Sequence, residues 1–426
     1  MKKLLSLLLA LAVMLSLAAC GGSNHAAAQE PAEEPASEDP LEETPAEETA
    51  QDAPQVLTEN TPLAINTGYK IAMLTDQGDV NDRAFNQTVY EACRDFCKAN
   101  GLEFDFYRPI GDSTSERVFA AELAIADGYD VLVLLGKDYA GTIVELSGMY
   151  PDVKFVALDV SADDILEASV GEGYDHAPDN WDVADYYNGE NVYCATYQEE
   201  ISGYMAGYAA VKLGYKHLGV LGGVAVPAVI RFGYGFVQGA NDAAVELGVA
   251  HEVTVEYVYG NRFSGDADIT ACMDNWYQTL GVEVVFACGG SIYDSAAEAA
   301  AKVGGKVIGV DFDEASLIDT YGEGMTVTSS MKGLAPTVSS MLSEIVTGNW
   351  DRHAGKIEEL GLVSGDDPTR NYVQLPLEST QWSESFTRED YVELVGKLYS
   401  GQITVSDSTT RLPALAISVN EHGNVK

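Results

Sequence analysis

The sequence predicts an α/β fold of two doubly wound parallel sheets, and three observations carry that prediction. Strand-like and helix-like stretches alternate from 69 to 311, and such alternation implies parallel strands joined by crossover helices lying on both faces. The strands read as unbroken apolar runs, such as Val131-Leu-Val-Leu-Leu135, the texture of strands buried on both sides. The strands are also too many for one compact half, so the folded body is expected to divide in two.

Taken in order, strands are expected at 69–75, 102–107, 131–135, 154–160, 191–196, 217–221, 253–259, 282–287 and 306–311. Helices are expected between them at 84–100, 115–127, 139–149, 198–213, 231–247, 267–279 and 291–303. Gly101 and Gly128 stop the first two helices and Pro151 follows the third, as helix C-termini prefer. The segment 161–190 breaks the alternation: from Asp163 to Glu190 it holds nine carboxylates and no Lys or Arg. It reads as a solvated insertion, because the spacing Asp179-x-x-Asp182-x-x-Asp185 does not fit a calcium loop. Ligands of doubly wound sheets bind at the carboxyl ends of strands. That rule picks out Asp76, Gly136, Asp159, Gly222, Gly223, Gly289, Gly290 and Asp311.

Before the folded body, Lys2 and Lys3 precede an apolar run, 4–19, shorter than the roughly twenty residues of a membrane span. It is expected to be a secretory signal, 1–19. Leu17-Ala-Ala-Cys20 is similar to a bacterial lipobox, so Cys20 is expected to carry a lipid anchor. Next, 24–60 has eleven acidic residues, no Lys or Arg, and five of the fourteen prolines. Such a segment stays extended, which makes 20–62 a tether to the membrane.

The 426 residues include 24 basic and 66 acidic side chains, a net charge of −42. That argues against nucleic acid as a partner, since binding there needs cations to replace counterions. The other cysteines, Cys93, Cys97, Cys194, Cys272 and Cys288, are odd in number and fit no metal spacing, so buried thiols are expected. Enzyme signatures fail one by one. Gly136-Lys-Asp-Tyr-Ala-Gly141-Thr142 lacks the phosphate-binding lysine of a P-loop, and Gly233-x-Gly235-x-x-x-Gly239 is one residue too long for a dinucleotide fingerprint. There is no His-Glu-x-x-His and no Gly-x-Ser-x-Gly. No catalytic residue, metal or cofactor is expected.

A binding reading fares better. Asp76-Gln-Gly-Asp-Val-Asn-Asp82-Arg-Ala-Phe85-Asn86-Gln87 joins the first strand to the first helix, with turn-forming residues before a ring and an amide able to donate and accept. Phe232 opens a helix of the second half, so rings from two domains can sandwich a planar ligand. Asp159 and Asp311, at strand ends, can accept bonds from vicinal hydroxyls, and Lys332 adds a donor.

These residues, in this order, resemble the basic membrane protein family of bacterial nucleoside-binding lipoproteins, which serve ABC importers. Its opening signature is similar to Asp-x-Gly-Gly-x-x-Asp-Lys-Ser-Phe-Asn-Gln. Further matching stretches are Glu200-Ile-Ser-Gly-Tyr-Met-Ala-Gly207, Phe232-Gly-Tyr-Gly-Phe-Val-Gln-Gly239, Ile308-Gly-Val-Asp311 and Thr328-Ser-Ser-Met-Lys332. The chain departs from the pattern at Asp79 and Ala84, in the insertion 161–190, at Tyr293 near the expected cleft mouth, and over 353–387. The resemblance implies a type I periplasmic-binding-protein fold, two Rossmann-like domains joined by a hinge. The expected division is 66–197 plus 314–348 for domain I, and 198–313 plus 349–426 for domain II. It further implies a purine-like base between Phe85 and Phe232, Asn86 and Asp76 on the base edge, and Asp159, Gly290, Asp311 and Lys332 around the ribose. A nucleoside ligand, an ABC permease partner, an extracytoplasmic lipid-anchored location and a monomer follow as expectations. The alternatives are a receptor for another solute such as a sugar, a secreted hydrolase of nucleosides or glycans, and a ligand sensor without transport.

Overall fold

The computed structural model describes residues 68–425 other than Gln77. The expected signal segment, Cys20 and the tether 20–62 lie outside the described residues. The chain opens with β1 (Lys70–Leu74), α1 (Phe85–Asn100), β2 (Glu103–Tyr107), α2 (Thr114–Ala126), β3 (Val131–Leu135), α3 (Ala140–Leu146), β4 (Lys154–Leu158), α4 (Ala162–Val170) and β5 (Val192–Tyr197). It continues as α5 (Glu199–Lys212), β6 (His217–Gly222), α6 (Pro227–Glu246), β7 (Thr254–Tyr259), α7 (Ala267–Asn275), β8 (Val284–Cys288), α8 (Tyr293–Ala301), β9 (Lys306–Asp311), α9 (Ala315–Ile318) and β10 (Thr326–Lys332). The remainder is α10 (Leu334–Val346), β11 (Ile357–Leu360), β12 (Val373–Gln374), α11 (Arg388–Tyr399) and β13 (Ser418–Asn424).

The strands form two sheets, in the orders β11-β5-β4-β3-β1-β2 and β12-β10-β9-β8-β6-β7-β13. All pairings are parallel except β12 on β10. Alternate residues of a strand serve opposite faces. Thus Val131, Val133 and Leu135 join the core under α1 and α10, whereas Leu132 and Leu134 join the core on the other face. Both sheets reverse their winding after the first strand, between β1 and β3 and between β6 and β8. The register Leu74 to Leu134 brings those strand ends level, so Asp76 and Gly136 emerge side by side.

The two-sheet α/β architecture expected from the sequence is present, with two differences in the division of the chain. The segment 314–348, expected in the first domain, is split: β10 pairs with β9 in the second sheet, while α10 packs with the core of the first. Conversely β11, expected in the second domain, pairs with β5 in the first sheet. A short stretch of strand does not say which sheet it joins, and only tertiary pairing decides. The chain therefore crosses between lobes at 197–199, at 332–334 and between β11 and β12.

The acidic segment 161–190 is also more ordered than a solvated insertion. Ser161 caps α4 by accepting from the Asp164 amide, and the Asp164 carboxylate accepts in return from Ser161. Asp175 accepts from the Trp181 indole at 2.8 Å. The carboxylates sit at helix starts and turns, where backbone and side-chain donors need acceptors. Helix α6 begins four residues before the expected 231, with Pro227 in its first turn.

The glycines of α5 and α6 have a packing role. A Cβ on Gly207 would collide with the Phe236 carbonyl, and one on Gly239 with the Tyr204 carbonyl. The two helices therefore touch backbone to backbone, which explains the Gly235/Gly239 spacing that resembles a nucleotide fingerprint. Gly207→Ala should cost about 1–3 kcal/mol of stability, measured by urea unfolding, although alanine is the better helix former by about 1 kcal/mol. A variant as stable as the parent would mean the helices can part freely.

Candidate ligand-binding cleft

A cavity of about 520 Å³ opens between the carboxyl ends of the two sheets, within the range of small-ligand sites. Of the eight residues expected at a ligand, seven line it: Asp76, Phe85 and Asp159 from the first lobe, Phe232, Gly290 and Asp311 from the second, and Lys332 at the end of β10. The eighth, Asn86, is buried behind the wall and is not among the lining residues. Its amide donates to Asp76 Oδ1 at 2.7 Å and to Asp82 Oδ2 at 2.8 Å, while its oxygen accepts from the Asp76 amide at 3.1 Å. Asn86, expected on a ligand's edge, thus stands behind the wall with both its amide protons bonded to Asp76 and Asp82.

The loop from β1 to α1 is built around these bonds. Asp82 caps α1, accepting from the amides of Ala84, Asn86 and Gln87 and so doing the work of an N-cap side chain that Ala84 lacks. Gly78 has no room for a Cβ, which would run into the Asn86 amide. Phe85, the first residue of α1, is thereby held facing the cavity. Burial pushes the Asp76 carboxyl above its usual range, and bonds from Gly78 and Asn86 partly counter it.

Lys332 occupies the centre. Its ammonium lies 2.6 Å from Asp159, 3.7 Å from Asp311 and 3.8 Å from Glu199. It also lies 5.0, 5.5 and 5.9 Å from the ring centres of Phe85, Tyr197 and Phe232. Burial opposes its charge, yet Asp159, Asp311 and Glu199 outweigh that and hold it protonated well above the ordinary lysine value. Burial lifts Asp311 to about 6, with Lys332 pulling it down and Asp159 and Glu199 pushing it up. Glu199, fully buried, binds the Arg231 guanidinium at 2.7 Å; burial raises its carboxyl, and Arg231 and Lys332 lower it.

Asp159 and Asp311 stand at equivalent strand ends of the two lobes, and both adopt left-handed backbone, φ 59° and 66°. Non-glycine residues there are strained, and such strain gathers at functional sites. Asp159 Oδ1 is buried with no hydrogen-bond partner among the described residues. Gly290, at φ 56°, has the Phe263 carbonyl where a Cβ would go, so only glycine closes that corner. Sequence reasoning missed Tyr197, Glu199 and the charge-pairing role of Arg231. Glutamate in a first helical turn is an ordinary complement to the helix dipole, so nothing local marked Glu199 as the buried partner of two cations.

The sequence profile of the family described as "ABC transporter substrate-binding protein PnrA-like" matches residues 69–375. The chain belongs to that family. Members are solute-binding proteins rather than enzymes; they act outside the cytoplasm and present a small molecule to an ABC permease. Among relatives of the PnrA-like chain, an ABC transporter nucleoside-binding protein of Lactococcus lactis subsp. cremoris is 27% identical over 321 residues, 71% of this chain and 81% of its own. An "uncharacterized lipoprotein" of Pyrococcus furiosus is 23% identical over 337 residues, 76% of this chain and 77% of its own. In three dimensions the chain is similar to a solute-binding protein of an ABC transporter from Conexibacter woesei, with TM-score 0.59 and 21% identity, over 80% of this chain and 99% of that one. The neighbour's fold is a type I periplasmic-binding-protein fold, and the two parallel α/β sheets here agree with it.

Proposed function

We propose that this protein captures a nucleoside, a purine nucleoside above all, by hinge closure of its lobes and delivers it to an ABC permease, held at the membrane by a lipid on Cys20. The observation that carries this is the pairing, in one cavity, of Phe85 and Phe232 from opposite lobes with strand-end carboxylates beside them. Two rings suit the faces of a base. In this reading Asp76, positioned by Asn86, meets the base edge. Asp159, whose Oδ1 lacks a partner, and Asp311 accept from the sugar hydroxyls, with Lys332 between them and Gly290 closing the turn alongside. The nucleoside-binding relative and the relative named as a lipoprotein support the same assignment. The two lobes move as domains, with β10 in the second and β11 in the first.

The test is thermal unfolding of protein stripped of co-purified ligand by unfolding and refolding, with inosine, guanosine, adenosine, the free bases and ribose. A ligand at a hundred times its dissociation constant adds about 2.7 kcal/mol, so a nucleoside should raise the melting temperature, and neither base nor sugar alone should match it. No shift with any nucleoside would refute the reading.

A pH dependence follows from Asp311. With its carboxyl lifted to about 6, the ligand-free protein protonates it below that pH and loses a charged acceptor. Nucleoside affinity should fall about tenfold from neutrality to pH 5, measured by calorimetry. Asp311→Asn should bind more weakly at pH 7 and lose this pH dependence; an unchanged profile would remove Asp311 from the site.

A further inference from the structure

A second contact between the lobes lies outside the cavity lining. Arg83, in the loop from β1 to α1 of the first lobe, places its guanidinium 2.9 Å from Oδ2 of Asp294, in the first turn of α8 of the second. The other oxygen of Asp294 accepts from the Tyr321 hydroxyl at 2.9 Å, and the Arg83 guanidinium lies 5.8 Å from the ring centre of Tyr293, which is buried. Neither Arg83 nor Asp294 lines the cavity. Arg83 is held in left-handed backbone, φ 53°, with its amide bound to the Gln87 side chain. Left-handed geometry is unfavourable for arginine, and here the turn aims its side chain away from its own lobe. The same short loop carries Asp76 and Phe85, so cavity wall and cross-lobe contact are parts of one unit.

We propose that Arg83 and Asp294 form a latch across the cleft mouth that sets how long a bound solute stays, acting through lobe closure and not through contact with the solute. This rests on reading the cleft as a closing hinge. A pair made only in the closed form lowers the free energy of that form alone, so its loss speeds opening. The pair is half-exposed on the Arg83 side, which limits its strength and makes it sensitive to salt.

The test uses Arg83→Gln, Asp294→Asn and the double variant of the whole chain, with inosine as probe and ribose as the second arm. Each single substitution should raise the dissociation rate about threefold and lose that effect in 1 M salt. The double variant should be no faster than the singles, because both remove one contact. Parent-like dissociation, effects that multiply in the double variant, or effects that persist in 1 M salt would each overturn the latch. Small-angle scattering without solute separates this from the nucleoside reading. If inosine does not bind the parent, that reading fails, while the latch still requires the variants to be less compact than the parent; equal radii would overturn it.

Discussion

Lys332→Met should destabilise the folded protein by about 3–5 kcal/mol at pH 8. The ammonium is buried and faces Asp159, Asp311 and Glu199. Its removal leaves three carboxylates with, among the described residues, the Arg231 cation, which is already bonded to Glu199. The sign with pH can be worked out. Asp311 and Glu199 already have raised carboxyls, chiefly through burial, and without Lys332 they rise further. Groups raised in the folded state keep its stability intact while they are protonated and lose it as pH climbs through their folded values. The deficit should therefore shrink toward pH 4–5 and widen above pH 6. Urea unfolding at pH 5 and pH 8 checks this. A loss under about 1 kcal/mol, or one equal at both pH values, would mean that the centre is solvated and that Lys332 is not its keystone.

Phe85→Ala should weaken nucleoside binding by about fivefold to 150-fold, the worth of one base stacked on one ring, with little change in the melting temperature of the ligand-free protein. Phe85 sits at the edge of the first core and is only half-buried. Phe232 differs. It is 2% exposed, belongs to the second core and contacts Phe286 with ring centres 6.3 Å apart. Phe232→Ala should lose affinity comparably and also about 3–5 kcal/mol of stability. Calorimetric titration beside thermal unfolding separates the two effects. Two variants that bind as the parent does would dispose of the sandwich.

The contrast between those rings shows how far sequence can carry a site. Val131–Leu135 and Lys306–Asp311 coincide with β3 and β9 because an unbroken apolar run followed by a turn residue has few other structural uses. The strand-end rule picked out Asp159 and Asp311, which line the cavity, with no contact information. Asn86 stands behind the wall for a different reason: an amide that can donate and accept suits a ligand and a loop equally, and here it bonds Asp76 and Asp82. Glu199 was invisible because its two cations, Arg231 and Lys332, lie 32 and 133 positions away in the sequence. The exchange of β10 and β11 between sheets was illegible likewise. Short strands carry too little pattern to name a neighbour.

The most direct test is native mass spectrometry of the refolded protein, exposed to an equimolar mixture of inosine, guanosine, adenosine, cytidine, uridine, ribose and galactose. Nucleoside capture without turnover predicts a single 1:1 adduct at the mass of an intact nucleoside, a purine nucleoside foremost, and an unchanged mixture afterwards. A sugar adduct, no adduct, or the appearance of free base would contradict it.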